Sequence, residues 1–451
     1  MAKTPILIIA PFFAPQSHAA MFRVHKLVKY LPEYGYKPII ITTDINYNYN
    51  EDLSLLDELP PEVEIHRVKY VEPTMRGLRM LLGGQDRTFK TMKKSLKTNN
   101  IPLHTDYNDK KQKRSFVRKI YSNIQHFLLN MPDAHWTWIY PATKKAKELI
   151  KEQDIKLFYT TANPNSVLKI GLNIKDKFFI KWVADFRDPI GYGERYNTTN
   201  HLIIKTEQQW IKDTMIRADI LTGLSSSYKE IFEDLYNISK DKYVFIPTGL
   251  DEKYIDDSKF IDKSKYLLFI GEFQTKYDDY IFKIISKALE HSLINEKFKI
   301  KFIGRKEVNE PLVTNLLKPY SSLKNIYEFI DHIPQAELYS KIQNAYGCIL
   351  ISGGDNFWWC NFAKMVDYIA LNKNVLAHVA NPSEARKELS KSNLGIFLEN
   401  NESKDIKMFS RFMNENNNIK STNYCKNYLA STQVKEFSKI FDKLLKKCNE
   451  Q

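Results

Sequence analysis

Two stretches carry residue types that could do chemistry at their spacing. In the first, Trp182-Val183-Ala184-Asp185-Phe186-Arg187-Asp188-Pro189, a strand-like run ends in two carboxylates flanking a guanidinium, and Pro189 stops it. Charges at the carboxyl end of a strand are costly to desolvate unless they pair or face a cleft. An ion-paired strand end and a polar reaction centre are therefore both open at this point. In the second stretch, Ile351 to Ala377, an apolar run from Tyr346 arrives as a buried strand and breaks at Gly353 and Gly354. A helix is expected from near Asn361 to Asn372, with Phe362, Met365, Val366 and Ile369 on one face. Free N–H groups at its start would favour an anion such as a nucleotide diphosphate. Lys364 on the first turn opposes the helix dipole, so a bound anion explains it better than helix stability does. Asp367, one turn on, could accept hydrogen bonds from ribose hydroxyls. The plain alternative is an ordinary strand–loop–helix of an α/β domain.

The elements that must position these residues follow in chain order. Pro5 to Ala10 reads as a buried strand, the loop from Phe12 to Ala20 leads to a helix over Met21 to Tyr34, and Ile39 to Thr43 is a second strand. Strand–helix–strand in about 40 residues is a parallel crossover. Ligands of such sheets sit at the carboxyl ends of strands, here the loop around Ser17 and His18. A lone loop histidine such as His18 is either a site residue or a bland one. After a strand over Val63 to Val68 comes a basic stretch, and order resumes at Met131. Trp136 and Trp138 follow, read either as aromatic packing between loops or as a stacking surface for a ligand ring. Helices are expected over Ala142–Lys151, Glu207–Arg217 and Val434–Lys447, the last amphipathic. The polar stretch Asp251 to Lys265 is an interdomain linker, and a second α/β unit opens with the strand-like run Tyr266 to Gly271.

At 451 residues the chain is long for one domain and comfortable for two. With 43% apolar and 27% charged residues its composition is that of an ordinary globular protein. No run of 18 apolar residues marks a membrane span. The start, Met1-Ala2-Lys3-Thr4-Pro5, lacks the features of a signal peptide. Cys348, Cys360, Cys425 and Cys448 have no metal-ligand spacing, and no metal site is expected. Together these suggest a cytoplasmic two-domain protein. The net charge of +14 is uneven: from Arg87 to Lys119 there are eleven Lys or Arg against two Asp. A solvated insertion, an anionic-membrane contact and nucleic-acid binding are all open for that stretch. The interleaved aromatics that nucleic acid calls for are not evident, so no nucleic-acid partner is expected.

The run Ala363-Lys364-Met365-Val366-Asp367-Tyr368-Ile369-Ala370 resembles the S-K-x-F-E-Y-L-A-x-G-K-P-V-L segment of family 4 glycosyltransferases with the two-domain GT-B fold. Where that family carries two Glu eight residues apart, this chain has Trp359 and Asp367. The run from Ala184 to Pro189 matches, letter for letter, the A-D-F-R-D-P signature of one subgroup, and Pro132-Asp133 with a downstream Trp also occurs there. Val244 to Asp251 resembles the I-P-N-G-x-D that ends the first domain. The family's loop glycines are replaced by Ser17-His18-Ala19-Ala20, while Arg23 is kept. A Gly-Arg pair becomes Gly271-Glu272, with Lys276 nearby and Arg305 as a substitute cation.

The resemblance implies an α/β GT-B architecture, two Rossmann-like doubly wound parallel-sheet domains facing a central cleft. The boundaries expected are 1–250 on the acceptor side with a basic insertion at about 72–125, a linker at 251–265, a nucleotide-sugar domain at 266–425, and a terminal helix at 426–451 packing back on the first domain. It also implies a metal-independent, retaining transfer from a nucleotide-sugar, as co-substrate, to a glycan or lipid-linked acceptor, in surface polysaccharide synthesis. Contact with an anionic membrane is kept because a lipid-linked acceptor would need it. The implied roles are catalytic for Asp185, Arg187, Asp188 and His18. Gly271, Lys276, Arg305, Phe362, Ala363, Lys364 and Asp367 would bind the donor, and Ser17, Arg23 and Trp136 would lie on the acceptor side. A sugar-nucleotide epimerase and a silent nucleotide-sugar-binding scaffold are the rival readings.

Overall fold

A computed structural model describes residues 3–17, 19–44, 50–73, 77, 124, 127–129, 131–192, 200–255, 265–295, 297–352, 354–415 and 422–449. The basic stretch falls almost wholly outside them, as does His18.

The chain forms two compact units, one of residues 1–224, 228–246 and 434–451, the other of residues 225–227 and 247–433. In chain order the strands of the first unit's main sheet are β1 (Thr4–Ile9), β3 (Tyr36–Thr43), β5 (Glu64–Val68), β6 (Leu157–Ala162), β7 (Lys181–Phe186), β8 (Ile220–Gly223) and β9 (Tyr243–Phe245). The short strands β2 (Gln16–Ser17) and β4 (Asn50–Glu51) pair antiparallel beside it. The main sheet runs β5-β3-β1-β6-β7-β8-β9, every pair parallel. A parallel sheet is covered on both faces, which is why its strands read as continuous apolar runs. Ile6, Leu7, Ile8 and Ile9 are all fully buried, each contributing roughly 1.5–3 kcal/mol relative to exposure.

The second unit repeats the plan with β10 (Tyr266–Ile270), β11 (Lys299–Ile303), β12 (Tyr327–Ile330), β13 (Gly347–Ile351), β14 (Val375–His378) and β15 (Gly395–Phe397). Its order is β12-β11-β10-β13-β14-β15, again all parallel. In each unit the chain winds outward from its first strand, then returns to that strand's other side. The order therefore reverses between β1 and β6 and between β10 and β13. Crevices beyond the carboxyl ends of the strands at such reversals are where doubly wound sheets bind ligands.

Helix ends differ from the sequence expectation where capping decides them. The helix expected over Met21–Tyr34 spans Ala19–Tyr30 and continues as a 3₁₀ turn, Leu31–Tyr34, because Pro32 has no N–H for an α-helical bond. The helix expected from Glu207 starts at His201, where the Asn200 side chain accepts from the Leu202 and Ile203 amides at 3.0 and 3.4 Å. The helix expected near Asn361 is Ala363–Ala370, and the terminal helix extends over Ala430–Asn449. Val434, Phe437, Phe441 and Leu444 line one face of that last helix and join the core of Ile6, Ile8, Val24 and Leu27 in the first unit.

Candidate functional site

In the first unit, β7 delivers Asp185 to a fully buried position. Its carboxylate accepts from Arg23 Nε at 3.0 Å and Nη2 at 2.8 Å, from Thr161 Oγ1 at 3.3 Å and from Thr222 Oγ1 at 2.7 Å. Arg23 is equally sealed, donating also to the Ile246 carbonyl at 2.9 Å, with its guanidinium 5.2 Å from the Phe437 ring. An ion-paired strand end and a polar reaction centre were both open at 185, with Arg23 expected on the acceptor side. The structure instead turns these two side chains toward each other, because an unpaired charge at this depth would be prohibitively desolvated.

Arg187 and Asp188 follow at the carboxyl end of β7, half-buried. Arg187 Nε donates to the Ala162 carbonyl at 3.2 Å and its Nη2 to the Asn163 carbonyl, clasping the loop after β6. Burial lowers the Arg187 pKa, and the nearby carboxylates of Asp188 and Asp185 oppose that. Asp188 accepts from Asn163 Nδ2 at 3.1 Å. Asn163 was not singled out by sequence reading, since a loop Asn carries no pattern. Alongside, Asp133 caps the helix Ser166–Lys175, accepting from the Ser166 amide and hydroxyl at 2.7 Å each. Asn165 donates to Glu207, whose pKa burial pushes up to about 7. Trp136 donates its Nε1–H to the Leu128 carbonyl at 2.8 Å. The backbone of Ser17 lies in β2, opposite Asn50.

In the second unit, β10 is followed by Gly271, whose φ of +93° a glycine adopts without strain. The loop is held by Asn309, which donates to the Gly271 carbonyl at 3.0 Å and accepts from the Phe273 amide at 2.7 Å. A Cβ on Gly304 would come within 2.5 Å of the same carbonyl, so this close approach needs glycine there. Asn309 is fully buried and was also missed in the sequence, because it acts through a loop 36 residues away.

Lys364 rises from the first turn of the helix Ala363–Ala370 into the space beside Gly271. A Cβ on Gly271 would stand 3.9 Å from both Cε and Nζ of Lys364. The ammonium sits 3.9 Å from the Phe269 ring centroid and 5.8 Å from that of Tyr277. It is buried and, among the described residues, has no hydrogen-bond partner. Desolvation alone lowers its pKa to about 7. A cation over an aromatic ring gains about 0.5–2 kcal/mol, too little to replace three lost hydrogen bonds to water. Phe362 provides no side-chain cap to this helix. The helix start therefore presents backbone donors and an unmatched lysine together, as an anion would require.

The other expected donor residues are placed differently. Arg305 donates through Nε to Glu272 at 2.6 Å, at an exposed position. It was read as a phosphate ligand, with a surface arginine as the alternative, and here it pairs with the acidic residue at 272. Lys276 lies 3.6 Å over the Phe357 ring, on the exposed face of the loop. Ala363 is exposed at the helix start and Asp367 half-buried one turn on. Trp359 is buried. Among the described residues no cluster of His, Cys, Asp or Glu could hold a metal ion, and no helix is long and apolar enough to cross a membrane.

No family model and no curated protein sequence matches the chain. Solved structures do. A glycosyltransferase from Rickettsia africae is 15% identical, covering 99% of this chain and 100% of its own, with a TM-score of 0.59. Sucrose-phosphate synthase from Thermosynechococcus elongatus is 12% identical over 98% of this chain and 99% of its own, also at 0.59. A variant of TarM from S. aureus, solved with fondaparinux, alpha-GlcNAc-glycerol and UDP, is 10% identical over 97% and 99%, again at 0.59. The shared fold is GT-B, two Rossmann-like α/β domains each built on a parallel sheet.

Proposed function

We propose that the chain is a glycosyltransferase that moves a sugar from a nucleotide-activated donor to a glycan or lipid-linked acceptor. The observation that carries this reading is Lys364, whose buried Nζ has no hydrogen-bond partner among the described residues, at an uncapped helix start beside the glycine that follows β10. A nucleotide diphosphate supplies the anionic partner that this nitrogen lacks. In sugar transfer the bond from the anomeric carbon to the diphosphate oxygen breaks as the bond to the acceptor oxygen forms, and the acceptor hydroxyl's proton passes to the departing diphosphate. Charge gathers on the departing diphosphate, where Lys364 and the helix N–H groups stabilise it. Asp367 is assigned to the ribose, and Asn163, Arg187 and Asp188 to the acceptor side. The reading includes retention of anomeric configuration, no resident metal, and a role in surface polysaccharide assembly, where proteins of this resemblance act. The fold of the three solved neighbours supports it, one of them holding UDP.

The test is a thermal-shift panel of nucleoside diphosphates and nucleotide sugars, with magnesium, with manganese and with chelator. One nucleotide is expected to raise the midpoint with or without metal. Transfer is then assayed with and without acceptor. Sugar interconversion without acceptor would establish the epimerase reading instead, and no shift with any nucleotide would sink the donor site.

A further inference from the structure

A lysine whose stem is partly open but whose nitrogen is sealed is the reverse of the usual arrangement, in which the charged head reaches water. The hollow holding the Lys364 nitrogen is walled by the Phe269 ring and the aromatic ring of Tyr277, and opens at Gly271, where no side chain intrudes. Titratable and charged groups stand on every element around it. The loop after β10 carries Glu272, engaged with Arg305, and the Tyr277 hydroxyl, whose own pKa burial raises. The segment before the helix carries Cys360, and the helix itself carries Asp367 and Tyr368. None of them forms an ion pair or hydrogen bond with Lys364.

We propose that Lys364 is uncharged in the empty site and takes a proton from solvent onto Nζ when a phosphate-bearing ligand enters, so that donor binding and proton uptake are one event. This rests on the donor-site reading above and deepens it. The hollow stabilises the neutral amine, because no group among the described residues pairs with a charge there. A diphosphate next to Nζ reverses the balance, since an opposite charge in a low dielectric strongly favours the ammonium. Burial alone brings the free lysine down to about 7. With that value, uptake on binding is about 0.9 proton at pH 8 and about 0.1 at pH 6. Affinity is scaled by the protonated fraction, so it weakens about 25-fold between pH 7.5 and pH 9. Sites of this kind would hold their nucleotide tightly in mildly acidic conditions and release it as pH rises.

Isothermal titration calorimetry of the full chain with UDP, GDP, ADP and dTDP tests this, in HEPES, Tris and tricine, which differ in ionisation enthalpy. The window from pH 7.5 to 9 lies above the second phosphate ionisation at about 6. The expected result is near-stoichiometric uptake by the wild type with the nucleotide that binds. Lys364→Arg, which stays charged, should bind without uptake and with affinity flat in pH. Lys364→Met should bind more weakly, also without uptake. Binding by the wild type with less than about 0.2 proton taken up at pH 8 would overturn the proposal while leaving the donor site standing. Uptake that persists in folded Lys364→Met would overturn it too, by placing the proton elsewhere. Failure of every nucleotide to bind the wild type at any pH would overturn the donor reading itself.

Discussion

Replacing Asp185 separates a structural carboxylate from a reactive one. In Asp185→Ala the Arg23 guanidinium, 2% exposed, loses two charge-assisted hydrogen bonds at 3.0 and 2.8 Å. Thr161 and Thr222 lose their acceptor as well. Breaking a buried ion pair from one side costs about 3–5 kcal/mol, because the remaining charge is left unmatched. Against a typical total stability of about 5–15 kcal/mol, the first unit should unfold at far lower denaturant. The assay is urea unfolding followed by circular dichroism, with Asp188→Ala in parallel. Asp188 is half-buried and held by the Asn163 side chain, so its removal should shift the midpoint little while abolishing transfer. The double variant Arg23→Met with Asp185→Leu should recover most of the lost stability, since an apolar pair of similar volume is often neutral or stabilising in such a place. An Asp185→Ala chain with an unchanged midpoint that had lost only its activity would refute the reasoning, and would return Asp185 to the reaction centre.

Two further outcomes follow from the same geometry. Glu207 titrates at about 7 in the folded chain, above its ordinary 4.5. Between those values the folded state holds the extra proton, so stability should fall as pH rises from 4.5 to 7 and level off beyond. In a series of melting midpoints against pH, Glu207→Gln should flatten that decline, and an identical slope in both proteins would exclude Glu207 as its source. Gly171, on the helix Ser166–Lys175, lies against the buried Trp182 ring, and a Cβ there would come within 2.2 Å of Cζ2. Gly171→Ala should lower the melting temperature, at about 1–3 kcal/mol for overpacking; an unchanged midpoint would mean the ring yields freely.

Much of the fold was readable in the chain itself, for a local reason. Parallel strands covered on both faces must be continuous apolar runs, and β1, β10 and β13 announce themselves as such. Glycines and prolines mark where those runs end, so the loops carrying Arg187, Asp188, Gly271 and Lys364 could be placed at strand carboxyl ends. Helix starts were less legible, because a cap such as Asn200 is a single polar residue among many. What no local pattern contains is pairing across distance. Asp185 and Arg23 are 162 positions apart, and only the folded chain shows that they neutralise each other. Glu272 in the sequence looked like the loss of a phosphate cation, yet in space it is the partner of Arg305, 33 residues on. Asn309 supports the Gly271 loop from a helix that nothing in its own neighbourhood links to the site. The same holds for Lys364. Its amine and its place at a helix start were set by the sequence, but its isolation over the Phe269 ring came from packing. Residue type fixes which ionisable groups a chain has, and only the tertiary structure decides which of them are paired and which are left alone.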